Sequence, residues 1–132
     1  SGYTTKGVDS TASAEEAIEA AKDLAKNSGS VVSISGKIDY LTDGNLVHEI
    51  KYGHPLMGKV TGTGCTATAL TATFASVNNN PLAAATSAMV IMGMAGEMAA
   101  EEADAPGTFY TKFIDALYRI DGNEIQKRWQ ND

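Results

Sequence analysis

The run Thr61-Gly62-Thr63-Gly64-Cys65 is the part of this sequence whose residue types and spacing come nearest to chemistry. Two glycines allow a sharp backbone turn, and the Thr/Ala-rich stretch that follows reads as a helix. Main-chain N–H groups in such a turn converge on one point, at the positive end of the helix dipole. A phosphate suits that cradle, and in phosphoryl transfer the same donors would meet the charge that builds on the transferring oxygens. The run is not a Walker A sequence, because no Gly-Lys-Ser/Thr follows, and it is not G-x-G-x-x-G. Cys65 closes the turn, where a helix start favours a thiolate that can act as a general base. The competing reading makes Cys65 a small buried hydrophobe that fills the helix start.

Other chemistry-bearing residues have plainer readings. His54, between Gly53 and Pro55, invites a Cys-His hydrolase, but no orienting partner is identifiable and loop packing explains it better. His48 alternates with apolar residues and reads as a cross-strand packing residue. Asp43 precedes Gly44 and reads as a turn residue rather than a cation ligand. Glu97, Glu101, Glu102 and Asp104 read as a solvated helix end.

Towards the N-terminus, Ser13 and Glu16 form a capping-box pattern before a helix with Ala14, Ala17, Ile18, Ala21, Leu24 and Ala25 on one face, stopped by Gly29. SVVSIS, with Val31, Val32 and Ile34, reads as a parallel strand buried on both faces. Asp43-Gly44 between alternating runs predicts a hairpin. Leu56–Val60 reads as a short strand leading into the glycine turn. Asn80 and Pro81 suit the Ncap and N1 positions of a helix reaching about Ala103. A last helix is expected from near Thr108 to Ile120, with Phe109, Phe113, Ala116, Leu117 and Ile120 on one face, and Gly122 ends it before a weakly specified polar tail.

No charged residue lies between Val60 and Gly96. Asn78, Asn79, Asn80 and Pro81 break that stretch into pieces at or below a membrane-spanning length, so two buried helices are expected and no membrane segment. The 132 residues suit one folding unit, 43% hydrophobic and 20% charged, and a net charge of −6 disfavours nucleic acid and anionic bilayers as partners. A single cysteine forms no intramolecular disulfide, and with no signal sequence at the start the expected compartment is the cytoplasm. One buried strand and one hairpin are too little sheet for three largely apolar helices. More sheet is therefore expected beside the strand at Ser30–Ser35.

KGVDS at Lys6–Ser10, VVSISGKIDYLTDG at Val31–Gly44, YGHPLMGKVTGTGC at Tyr52–Cys65 and APGTF at Ala105–Phe109 together resemble hydroxyethylthiazole kinases, in the family's order and spacing, as far as Ile120. The resemblance implies an α/β chain, a single partial domain over residues 1–132 that forms the C-terminal half of a ribokinase-like three-layer fold. That half would hold a small sheet with a hairpin and several covering helices. It further implies ATP-dependent phosphorylation of 4-methyl-5-(2-hydroxyethyl)thiazole in thiamine salvage. Cys65 then stands where ribokinase-like enzymes carry a catalytic aspartate, and Gly62 lies at the hydroxyethyl group. The backbone of Gly62, Thr63 and Gly64 forms the anion hole. Ser35 matches a position that contacts ATP and is usually threonine, and Met89, Met92, Met94 and Met98 either border an adenine pocket or fill the core. The magnesium ligands, an ATP-contacting arginine and the rest of the thiazole pocket are implied to lie in an N-terminal half or companion chain. A homo-oligomer, by resemblance a trimer, is also implied.

Overall fold

The computed structural model describes residues 13–129, so the Lys6–Ser10 motif lies outside the described residues. The chain is mixed α/β and divides into two units, residues 1–49 and 50–132. In the first unit α1 (Ala14–Ser28) begins with the expected reciprocal cap. Glu16 N donates to Ser13 Oγ at 3.2 Å, Ser13 N donates to Glu16 Oε2 at 3.3 Å, and Gly29 closes the helix at φ 68°. Ala21 and Ala25 are its buried residues, while Leu24 is exposed.

Strands β1 (Val32–Ile34), β2 (Asp39–Thr42) and β3 (Val47–Ile50) form one antiparallel sheet in the order β1-β2-β3. This corrects the expected parallel strand: β1 pairs antiparallel with β2, Ser33 opposite Leu41, and Ser33 is exposed while Val32 and Ile34 are half-buried. A continuous apolar run does not distinguish a doubly buried strand from a short one covered on one face. The hairpin at Asp43-Gly44 is present with a four-residue connection, Asp43–Leu46. Asp43 Oδ1 accepts from Leu46 N and Asn45 N, both at 2.8 Å, and these bonds hold its carboxyl below the ordinary carboxylate range. Gly44, at φ 95°, lies under α1, where an added Cβ would stand 2.5 Å from Lys26 Cγ.

The second unit is helical. A 3-10 helix (Pro55–Lys59) replaces the expected strand at Leu56–Val60. Pro55 sits in its first turn, and His54 Nδ1 accepts from Leu56 N at 3.3 Å, so local capping outweighs the short apolar pattern. Then come α2 (Thr63–Ala75), α3 (Pro81–Glu102), α4 (Pro106–Arg119) and α5 (Gly122–Trp129). Asn80 Oδ1 accepts from Ala83 N at 3.0 Å, with Pro81 in the first turn as the sequence predicts. The core is Met92, Ala95, Ala99 and Ala103 of α3 and its exit against Phe109, Phe113 and Ala116 of α4, with the two phenylalanine rings stacked at 6.0 Å.

α3 is long and apolar enough to cross a membrane, but ten of its residues are buried in this unit and it serves as the core helix. α2 was expected to be buried too, and it has no buried residue: it packs on α3 along one side, with Ala67 and Leu70 against the core. The polar tail forms α5, with Asp121 Oδ1 accepting from Glu124 N at 2.9 Å and Asn123 N at 3.0 Å.

Candidate active site

The glycine turn is positioned by the segment before it, which lies in a trough that α3 opens by having glycine at two successive turns. A Cβ on Gly93 would stand 2.5 Å from the carbonyl oxygen of Tyr52, and one on Gly96 would stand 2.4 Å from Met57 Sδ. No side chain larger than hydrogen lets the backbone at Tyr52 come this close. Gly53 N donates to Glu97 Oε1 at 3.0 Å, and Leu56, Met57 and Val60 pack on the α3–α4 core. The His54 ring lies 6.3 Å from that of Phe109. His54 therefore has a capping and packing role.

Glu97 is not part of a solvated helix end, because α5 brings Arg128 onto it. The guanidinium is 3.6 Å from Glu97 and 2.8 Å from Glu101, and its Nε lies 2.8 Å from Glu124 Oε1 without the alignment of a hydrogen bond. Trp129 stacks on Tyr52 at 6.1 Å. Thus the tail braces the same segment from its other side. The signal for this was Ile125 with Arg128 and Trp129, three and four residues on, after the Asp121 cap.

At the turn itself Gly62 has φ 96° and is the N-terminal flank of α2. Gly64 was expected to share that bend, but it lies inside the first helical turn, and an added Cβ there would meet open space. The first helical bond is Thr66 N to Gly62 O, 2.9 Å, and no side chain caps α2. The N–H groups ahead of Thr66 are thus free of intrahelical partners, as the first four of any helix are. α4 also starts without a side-chain cap, with Pro106 removing one donor. The threonines of α2 do not compete for a ligand: Thr66 Oγ1 donates to Gly62 O and Thr68 Oγ1 to Gly64 O, each at 3.0 Å.

Cys65 is exposed on this first turn. Gly62, Thr63, Gly64 and Cys65 are thereby brought together by one turn of helix. Ser35 follows β1 in the first unit and is exposed. Sequence reasoning missed Tyr110 of α4, whose Oη is the nearest atom, at 3.9 Å, to where a Cβ on Gly62 would stand. Among the described residues no three His, Cys, Asp or Glu side chains are grouped to hold a metal.

Residues 1–123 match the model of the hydroxyethylthiazole kinase family. A hydroxyethylthiazole kinase of Brachyspira hyodysenteriae is 52% identical over 124 residues, covering 94% of this chain and 47% of that protein. One of Leptospira biflexa is 48% identical, covering 94% and 46%. The solved structure of a hydroxyethylthiazole kinase protein from Pyrococcus horikoshii OT3 matches with a TM-score of 0.80 at 45% identity, over 85% of this chain and 44% of that one. The chain spans about half the length of the curated relatives it matches.

Proposed function

This chain belongs to the hydroxyethylthiazole kinase family, and from that membership we propose that it supplies the C-terminal half of an enzyme that moves the γ-phosphoryl group of ATP onto the alcohol of 4-methyl-5-(2-hydroxyethyl)thiazole. The observation that carries this reading is the exposed Cys65 on the uncapped first turn of α2, directly after the left-handed Gly62.

The substrate's alcohol lies at Gly62, within reach of Cys65. The Cys65 thiolate takes the hydroxyl proton, the freed oxygen bonds to the γ-phosphorus, and the bond to the bridging oxygen breaks to release ADP. Charge on the transferring oxygens meets the N–H groups of Gly62, Thr63 and Gly64, which need no reorganisation because the helix already holds them. Ser35 offers its hydroxyl to ATP. Magnesium, held by ligands of the complementary half, would neutralise phosphate charge. That half also packs on the side of α2 that leaves it with no buried residue, and the assembled enzyme is a cytoplasmic trimer.

The test is to combine this chain with the N-terminal half of a relative, ATP, magnesium and the thiazole alcohol, and to follow the phosphate ester by phosphorus NMR. Turnover that needs both halves is expected. No product from two halves shown to be folded and associated would overturn the proposal and leave a docking module without catalysis.

A further inference from the structure

The geometry points to Tyr110 as a contact residue for the acceptor alcohol, its phenol hydrogen-bonded to the oxygen held over Gly62. This rests on the proposed phosphoryl transfer and adds a specificity contact to it. Phe109 and Phe113 turn into the core, so Tyr110, one residue on, leaves the core face and is 45% exposed. Its Oη lies beside the N-terminus of α2, 3.9 Å from the position a Gly62 Cβ would take. Among the described residues it has no hydrogen-bond partner.

An atom resting where that Cβ would be is in ordinary contact with Oη, and one roughly 1 Å nearer is at the 2.7–2.8 Å of an O–H···O bond. A substrate oxygen placed there would lie within hydrogen-bonding reach of Oη. That oxygen gives its proton to Cys65 and accepts a hydrogen bond from the Tyr110 hydroxyl, which stays protonated. Tyr110 takes no part in bond making or breaking: it selects an acceptor with an oxygen on a short arm and fixes the direction of its lone pair.

The experiment uses Tyr110→Phe in the two-half enzyme, because it keeps the ring and removes only the hydroxyl. Expected is a fall in kcat/KM for the thiazole alcohol of about 3- to 10-fold, the worth of one neutral hydrogen bond. The melting temperature and the KM for ATP should stay as they were. The inhibition constant of 5-ethyl-4-methylthiazole, which lacks the oxygen, should be equal for the two enzymes. An equal loss for the alcohol and the ethyl analogue would mean a packing role and overturn the inference. An unchanged kcat/KM would overturn it while leaving the proposed function standing. Absence of turnover in the unsubstituted pair would remove both.

Discussion

α2 and α3 are both rich in small residues and uncharged, α2 throughout and α3 as far as Gly96, yet the fold uses them in opposite ways. α3 is capped by Asn80, opens with Pro81 and buries ten residues. α2 starts at a bare Gly62, has no side-chain cap and buries none. In α3 the absence of side chains at Gly93 and Gly96 admits another segment of chain, whereas at Gly64 it leaves open space. Similar composition therefore separates into a helix that holds the unit together and a helix whose first turn has no side-chain cap. On the proposed function, a capping side chain at α2 would occupy the donors that a phosphate needs.

The sharpest way to break this contrast is at Cys65. In the two-half enzyme Cys65→Ala should lower kcat by about 10²- to 10⁴-fold with little change in the KM for ATP. Cys65→Asp should retain turnover, since a carboxylate with a reference pKa of about 3.9 is ionised at neutral pH. Because Cys65 is exposed, the melting temperature of the alanine variant should barely move. Near-normal turnover of Cys65→Ala would take the residue out of the mechanism.

Next in size are the glycines. Gly93→Val drives a side chain onto the Tyr52 backbone and should cost about 1–3 kcal/mol, measured by denaturant unfolding followed at the single tryptophan, Trp129. Gly64→Val meets nothing within 4 Å and should leave unfolding unchanged while weakening phosphate binding, read as smaller amide shifts on phosphate titration. Equal destabilisation by both would erase the distinction between the helices. The cap comes third: Asn80→Ala should cost about 1 kcal/mol, while Thr63→Ala should cost less because no cap is lost.

The smallest effect is a pH dependence at the exit of α3. The side chain of Lys112 hydrogen-bonds Glu102 and holds its carboxyl below the ordinary range. A carboxylate with a depressed folded pKa stabilises fully above its unfolded value, near 4.3, and that contribution is lost as pH falls through the folded value. Lys112→Met should flatten this part of the acid unfolding curve. An unchanged curve would assign the pH dependence to other groups.

Local signals carried the helix starts and the turn chemistry. Ser13 with Glu16, Asn80 with Pro81, and Asp43 before Gly44 act through bonds within three residues, so the sequence alone placed them. Cys65 on a glycine turn was legible for the same reason. Pairing of β1 with β2 was not, because an apolar tripeptide carries no record of its partner's direction. The 3-10 helix at Pro55–Lys59 was missed where a cap from His54 outweighed a weak pattern.

By itself the sequence determined the starts of α1 and α3 and that one helix starts on a glycine turn ending in cysteine, because capping and periodicity are short-range. Only the tertiary structure decided that Cys65 is exposed, that Gly93 admits Tyr52, that Arg128 joins Glu97, Glu101 and Glu124, and that Tyr110 reaches Gly62. Those contacts join residues up to 48 positions apart in the chain, as Gly62 and Tyr110 are. No local pattern encodes such a contact, since it depends on how α3 and α4 pack.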